Sequence, residues 1–78
     1  MSSDYTPIAC ALHDEYEIAV MHLQPLHLCW KEVDGSRGEA DVLPVDIEVK
    51  NGEEFLVVKL KQADAVKHIR LDRIVSHK

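Results

Sequence analysis

Apolar and polar residues alternate with two different periods along this chain, and the period changes near Pro25. In the stretch LHDEYEIAVMHL, residues 12–23, Leu12, Tyr16, Ala19, Val20 and Leu23 recur at i, i+4, i+7, i+8 and i+11. At about 100° per residue they fall within an arc of roughly 100°, which predicts an amphipathic helix. Asp14-Glu15-Tyr16-Glu17 has the form of a capping box, with Asp14 as N-cap and Glu17 three residues on. Both charges suit the positive end of a helix. Pro25 ends the helix shortly after Leu23.

Beyond Pro25 the period is two. Leu26, Leu28 and Trp30 alternate with His27, Cys29 and Lys31, which predicts a half-buried strand. Asp34-Gly35 supplies a turn, and Gly38, Ala40 and Val42 alternate along the returning strand. Leu43-Pro44 interrupts that strand, because proline cannot donate into a ladder. Ile47 and Val49 then form a short third strand, closed by the hairpin signal Asn51-Gly52. Phe55 to Leu60 is the most hydrophobic strand and is predicted to be central. The last strand holds Lys67, Ile69, Leu71 and Arg73 on one side, and Ile74-Val75 closes the pattern. A short N-terminal helix and about five strands predict a mainly β fold: a helix packed on a small antiparallel barrel or sandwich.

Seventy-eight residues make a single domain, 1–78, whose first four residues are expected to be a flexible arm. No apolar run approaches the roughly 20 residues that span a bilayer, and no signal peptide is evident, so a soluble cytoplasmic protein is expected. The formal charge is −5 and is unevenly placed. Residues 1–30 carry Asp4, Asp14, Glu15 and Glu17 with no Lys or Arg, whereas residues 31–78 carry ten acids and nine bases. Nucleic-acid affinity rests on cations that displace counterions, so the acidic first third points to a basic protein partner.

The chemistry of known catalytic motifs is absent. There is no glycine-rich phosphate loop, nucleophile elbow or C-x-x-C, so no enzyme is expected. Cys10 and Cys29 are read as two buried thiols that act as small hydrophobes. Together with His22 and His27 they match no familiar zinc spacing, so neither a metal nor another cofactor is expected. The candidate aromatics for stacking bases are Tyr5, Tyr16, Trp30 and Phe55. Trp30 and Phe55 lie in core-like patterns, and the pairs Lys59/Lys61 and Arg70/Arg73 are diluted by nearby acids.

YTPIAC at 5–10, EIA at 17–19, EFLVV at 54–58 and IRLDRI at 69–74 together resemble the Rof (YaeO) family, small bacterial inhibitors of the transcription termination factor Rho. The similarity spans about residues 5–75. It implies an Sm-like fold and a non-enzymatic antitermination protein that binds the N-terminal domain of Rho and blocks its primary RNA site. By the same resemblance the Rho-binding positions are Asp14 and Glu17, with His13, Glu15 and Tyr16 beside them. A second contact is implied around Glu48, Lys50 and Asn51. ALH at 11–13 departs from the family pattern, where extra carboxylates can stand, which implies either weaker binding or a contact that leans on other residues. A monomer in the free state is expected. The alternative is an Sm-like module that binds single-stranded RNA directly. For the favoured reading, Tyr16, Ile18 and Met21 are the candidate apolar anchors, the last two lying near Asp14 and Glu17.

Overall fold

The computed structural model describes residues 7–61 and 63–77. The arm at residues 1–4 and Tyr5 lie outside the described residues. Helix α1 (Cys10–Met21) precedes strands β1 (Leu26–Lys31), β2 (Arg37–Lys50) and β3 (Glu53–Leu60). Strand β4 (Ala65–Arg70), a 3-10 turn (Leu71–Arg73) and β5 (Ile74–His77) follow. The strands form one open antiparallel sheet in the order β4-β3-β2-β1-β5, compatible with the Sm-like description.

The period-two reading of β1 holds: Leu26, Leu28 and Trp30 are all buried. With Val42, Leu56, Val58, Ile69 and Leu71 they line a single core, onto which α1 lays Tyr16 and Ala19. Leu12 and Val20 pack partly against that core, so the predicted apolar arc is the docked one. Leu23 departs from it. It is 56% exposed and lies beyond the helix with φ +49°. Its N–H donates to Val20 O at 3.1 Å and that of Gln24 to Ala19 O at 2.8 Å. This is the Schellman arrangement, which places its left-handed residue just past the helix end.

Three sequence-based expectations need correction. First, Asp14 does not cap α1. The N-cap is Ala9, which has no side-chain cap, and its carbonyl accepts from Leu12 and His13 at 3.0 Å each. Ile8 and Leu12 reach the core from this earlier start, and their packing outweighs the capping preference of Asp14. Second, Pro44 does not end a strand. β2 runs through it for 14 residues, and the register shifts between Pro44 and Asp46. β1 pairs with β2 only as far as Val42, so Pro44 sits where β3 alone is the neighbour and at a bulge, both of which tolerate a missing N–H. Third, the last predicted strand breaks after Arg70. The 3-10 turn keeps Leu71 in the core while the chain crosses from the β4 edge to lie beside β1.

Both predicted turns form. Asp34 Oδ1 accepts the Ser36 N–H at 2.9 Å and the Ser36 hydroxyl at 2.6 Å, and these bonds hold the Asp34 carboxyl below its usual pKa. Asn51 and Gly52 take φ +54° and +79°, as a two-residue hairpin turn of the primed type requires.

Candidate functional site

Because Tyr16 and Ala19 point into the core, the opposite side of α1 faces solvent. Asp14, Glu17, Ile18 and Met21 follow i, i+3, i+4, i+7 and form one outward stripe. Asp14 and Glu17 are exposed, Ile18 is 50% exposed and Met21 74%. With capping done by Ala9, the Asp14 carboxylate is not committed to the helix end. Glu15 is also exposed. Tyr16 is not part of this surface. It is 1% exposed, and burial, reinforced by the Glu15 charge, pushes its phenol up to about 12. Its role is to hold the helix at a fixed rotation, and the expectation of a direct contact from Tyr16 is corrected accordingly.

His13 lies at the edge of the stripe, partly covered. Its Nδ1 is 2.8 Å from Glu17 Oε1, one turn along the helix. Its Nε2 is 3.1 Å from Glu54 Oε2 on β3. A neutral imidazole has one N–H and can donate to only one carboxylate, whereas the doubly protonated ring donates to both. In a helix without Lys or Arg, the group that faces the Glu17 carboxylate is thus His13, one turn away, while the tertiary contact adds a further carboxylate, Glu54.

Beside His13 a groove of about 400 Å³ separates the start of α1 from the β2–β3 hairpin. Ile8, Cys10, His13 and Asp14 line one wall, Val49 and Glu54 the other. The two predicted contact regions thus meet at the hairpin, on its two faces. Glu48 and Lys50 alternate with Val49 and border a second depression with His68, whose Nδ1 is 2.9 Å from Glu48 Oε2. Asn51 is exposed at the turn. Sequence reasoning missed Glu54 and His68, which lie on later strands, and no local pattern marks either as a neighbour of its partner.

Among the described residues, His13, Asp14 and Glu17 form the group whose ligand atoms, all within 4.8 Å of one another, could hold a metal ion. Both His13 nitrogens already face carboxylates, which accounts for the grouping without an ion. Among the described residues Cys10, Cys29, His22 and His27 form no such group, and the expectation of two buried thiols is corrected: Cys10 is exposed at the start of α1 and Cys29 is only partly covered. His27 on β1 lies between Asp41, 2.7 Å from Nδ1, and Glu39, 2.8 Å from Nε2. Those two hydrogen bonds, the Asp41 one foremost, raise the imidazole above its ordinary pKa.

A second cavity, about 490 Å³, bears on the RNA alternative. Its lining includes the aromatics Trp30 and Phe55 and the cations Lys67 and Arg70, together with the acids Glu32 and Glu53. Trp30 is only 6% exposed, and its indole N–H donates to Glu32 Oε1 at 2.6 Å. Lys67 lies 5.6 Å from the ring centre and 3.5 Å from Glu32. Arg70 is held by Asp72 at 2.6 Å and Glu53 at 3.0 Å. A covered indole flanked by Lys67 and Arg70, both paired with acids, makes a poor platform for stacking bases.

The model of a family described as modulators of Rho-dependent transcription termination (ROF) matches residues 7–78. The chain belongs to the ROF family. ROF membership gives it a general role in modulating Rho-dependent termination. Among solved structures the fold is similar to proteasome accessory factor B/C (PafBC) of Arthrobacter aurescens, with a TM-score of 0.78 and 18% identity. The match covers 99% of this chain and 13% of that one, and it speaks to the fold alone. No curated protein matches the chain. Among the described residues no helix is long and apolar enough to cross a membrane.

Proposed function

We propose that this protein is a non-enzymatic inhibitor that docks on the N-terminal, RNA-binding domain of Rho and occludes its primary RNA site. The observation that carries this reading is the outward stripe Asp14, Glu17, Ile18 and Met21 on a helix of a ROF-family chain. A site for single-stranded RNA is a groove of Lys and Arg with aromatic platforms. Carboxylates fixed on a helix enter such a groove as phosphates do, through charge-assisted hydrogen bonds that are bidentate where the partner is Arg. Exposed ion pairs contribute only about 0–1 kcal/mol each, so the affinity rests also on burying Ile18 and Met21. Lys50 and Asn51 at the hairpin tip, with Glu48 behind them, supply the flanking contact. Rho is the partner, neither nucleic acid nor membrane is bound directly, and the protein acts in the cytoplasm, as a monomer when free.

The double substitution Asp14→Lys with Glu17→Lys tests the site. Both positions are exposed and neither caps the helix, so the circular-dichroism spectrum and melting temperature stay close to wild type while binding to purified Rho is lost. Wild-type affinity in the folded double variant would refute the assignment.

A further inference from the structure

His13 is a weak choice for a basic-partner interface if its role were only to present charge, since it stands among carboxylates that would receive the partner's cations. Its geometry indicates another role. One nitrogen faces Glu17 on its own helix and the other faces Glu54 on β3, an arrangement in which the doubly protonated ring donates to both. The His13 side chain is 24% exposed, against 54% for Glu17, so it lies behind the carboxylate it contacts. We propose that His13 is a positioning residue for docking: it fixes the Glu17 carboxylate and, through Glu54, clamps the first turns of α1 to the β2–β3 hairpin. The proposal rests on the docking reading above.

Two physical arguments support the clamp. Ligand atoms of His13, Asp14 and Glu17 lie within 4.8 Å of one another, and Glu54 reaches the far side of the same ring. Like charges this close drive their side chains apart unless a donor stands between them, and residues 1–30 offer no Lys or Arg for that place. In addition, α1 begins at Ala9 without a side-chain cap, so its first turn lacks the usual local anchor. A Glu held in one rotamer before encounter loses less freedom on binding than a mobile one. The groove between α1 and the hairpin then keeps a fixed width, and the helix stripe keeps its position relative to β3.

The test is a double-mutant cycle of His13→Ala and Glu54→Gln, read as Kd for purified Rho. Each single variant weakens binding by about 3- to 10-fold, and the double variant is no weaker than His13→Ala alone, since Glu54 acts only through the ring. In the free protein, Glu54→Gln also moves the Glu17 carboxyl ¹³C resonance, although the two residues sit on different elements. Multiplying effects of the two substitutions would show that Glu54 acts independently and would overturn the proposal. So would single variants that melt earlier yet bind Rho with wild-type Kd, which is the signature of a purely structural contact. Failure of the wild-type chain to bind Rho would refute docking and the role given to His13 in it. The Glu17 resonance would still report, without Rho, whether the clamp exists.

Discussion

Tyr16 determines which carboxylates this protein can offer. Its burial fixes the rotation of α1, which turns Asp14 and Glu17 outward and leaves His13 at the margin. Gly38 plays a comparable part on the opposite side of the core. A methyl group there would press on the Trp30 indole, 2.5 Å from its Nε1. Gly38→Ala is therefore expected to destabilise by about 1–3 kcal/mol through overpacking, seen as a lower denaturant midpoint. His27 gives a pH signature. Its pKa is raised by Asp41 and Glu39, so its contribution to stability is fully present below the ordinary value of 6.5 and is lost as pH rises through the higher folded value. His27→Gln should lower the melting temperature relative to wild type in acid, with the difference disappearing at alkaline pH. A constant difference across that range would contradict the linkage. Because the group is exposed, the effect is small.

At the level of elements, what was legible in the sequence was local chemistry. The alternation of Leu26, Leu28 and Trp30, the Asp34-Gly35 turn and the Asn51-Gly52 hairpin depend on neighbours within a few residues, and all of them form. The unbroken β2 was illegible because Pro44 is tolerated through a bulge and the early end of β1, two facts about strands elsewhere in the chain. The start of α1 was illegible for a similar reason. Asp14 and Glu17 satisfy the local rule for a cap, but Ile8 and Leu12 gain more by reaching the core. Since Ala9 caps with backbone alone, Ala9→Ser should add a side-chain acceptor and stabilise the protein by about 1 kcal/mol. A chemical-denaturation midpoint measures it, and an unchanged or lower midpoint would count against Ala9 as the N-cap.

Over the whole molecule, charge and topology act together. Asp14, Glu15 and Glu17, three of the four acids of the first third, lie on one helix, whereas Lys67 and Arg70 of β4 are paired with Glu32, Glu53 and Asp72. The acidic helix was legible from composition and periodicity. The His13–Glu54 contact was not, because it joins residues 41 positions apart that only the helix-on-sheet packing brings together. The resulting surface is suited to long-range attraction of a basic partner, which is screened beyond a Debye length of about 8 Å at physiological ionic strength. Association with Rho should therefore slow steeply with added salt, with a weaker effect on dissociation.

The central claim is that this surface and RNA compete for one place on Rho. Its most direct test is a titration of the purified protein into Rho carrying labelled oligo-cytidine. The account predicts complete displacement of the RNA, with the apparent affinity of the protein falling in proportion to the RNA added. Simultaneous occupancy, with neither ligand weakening the other, would contradict it.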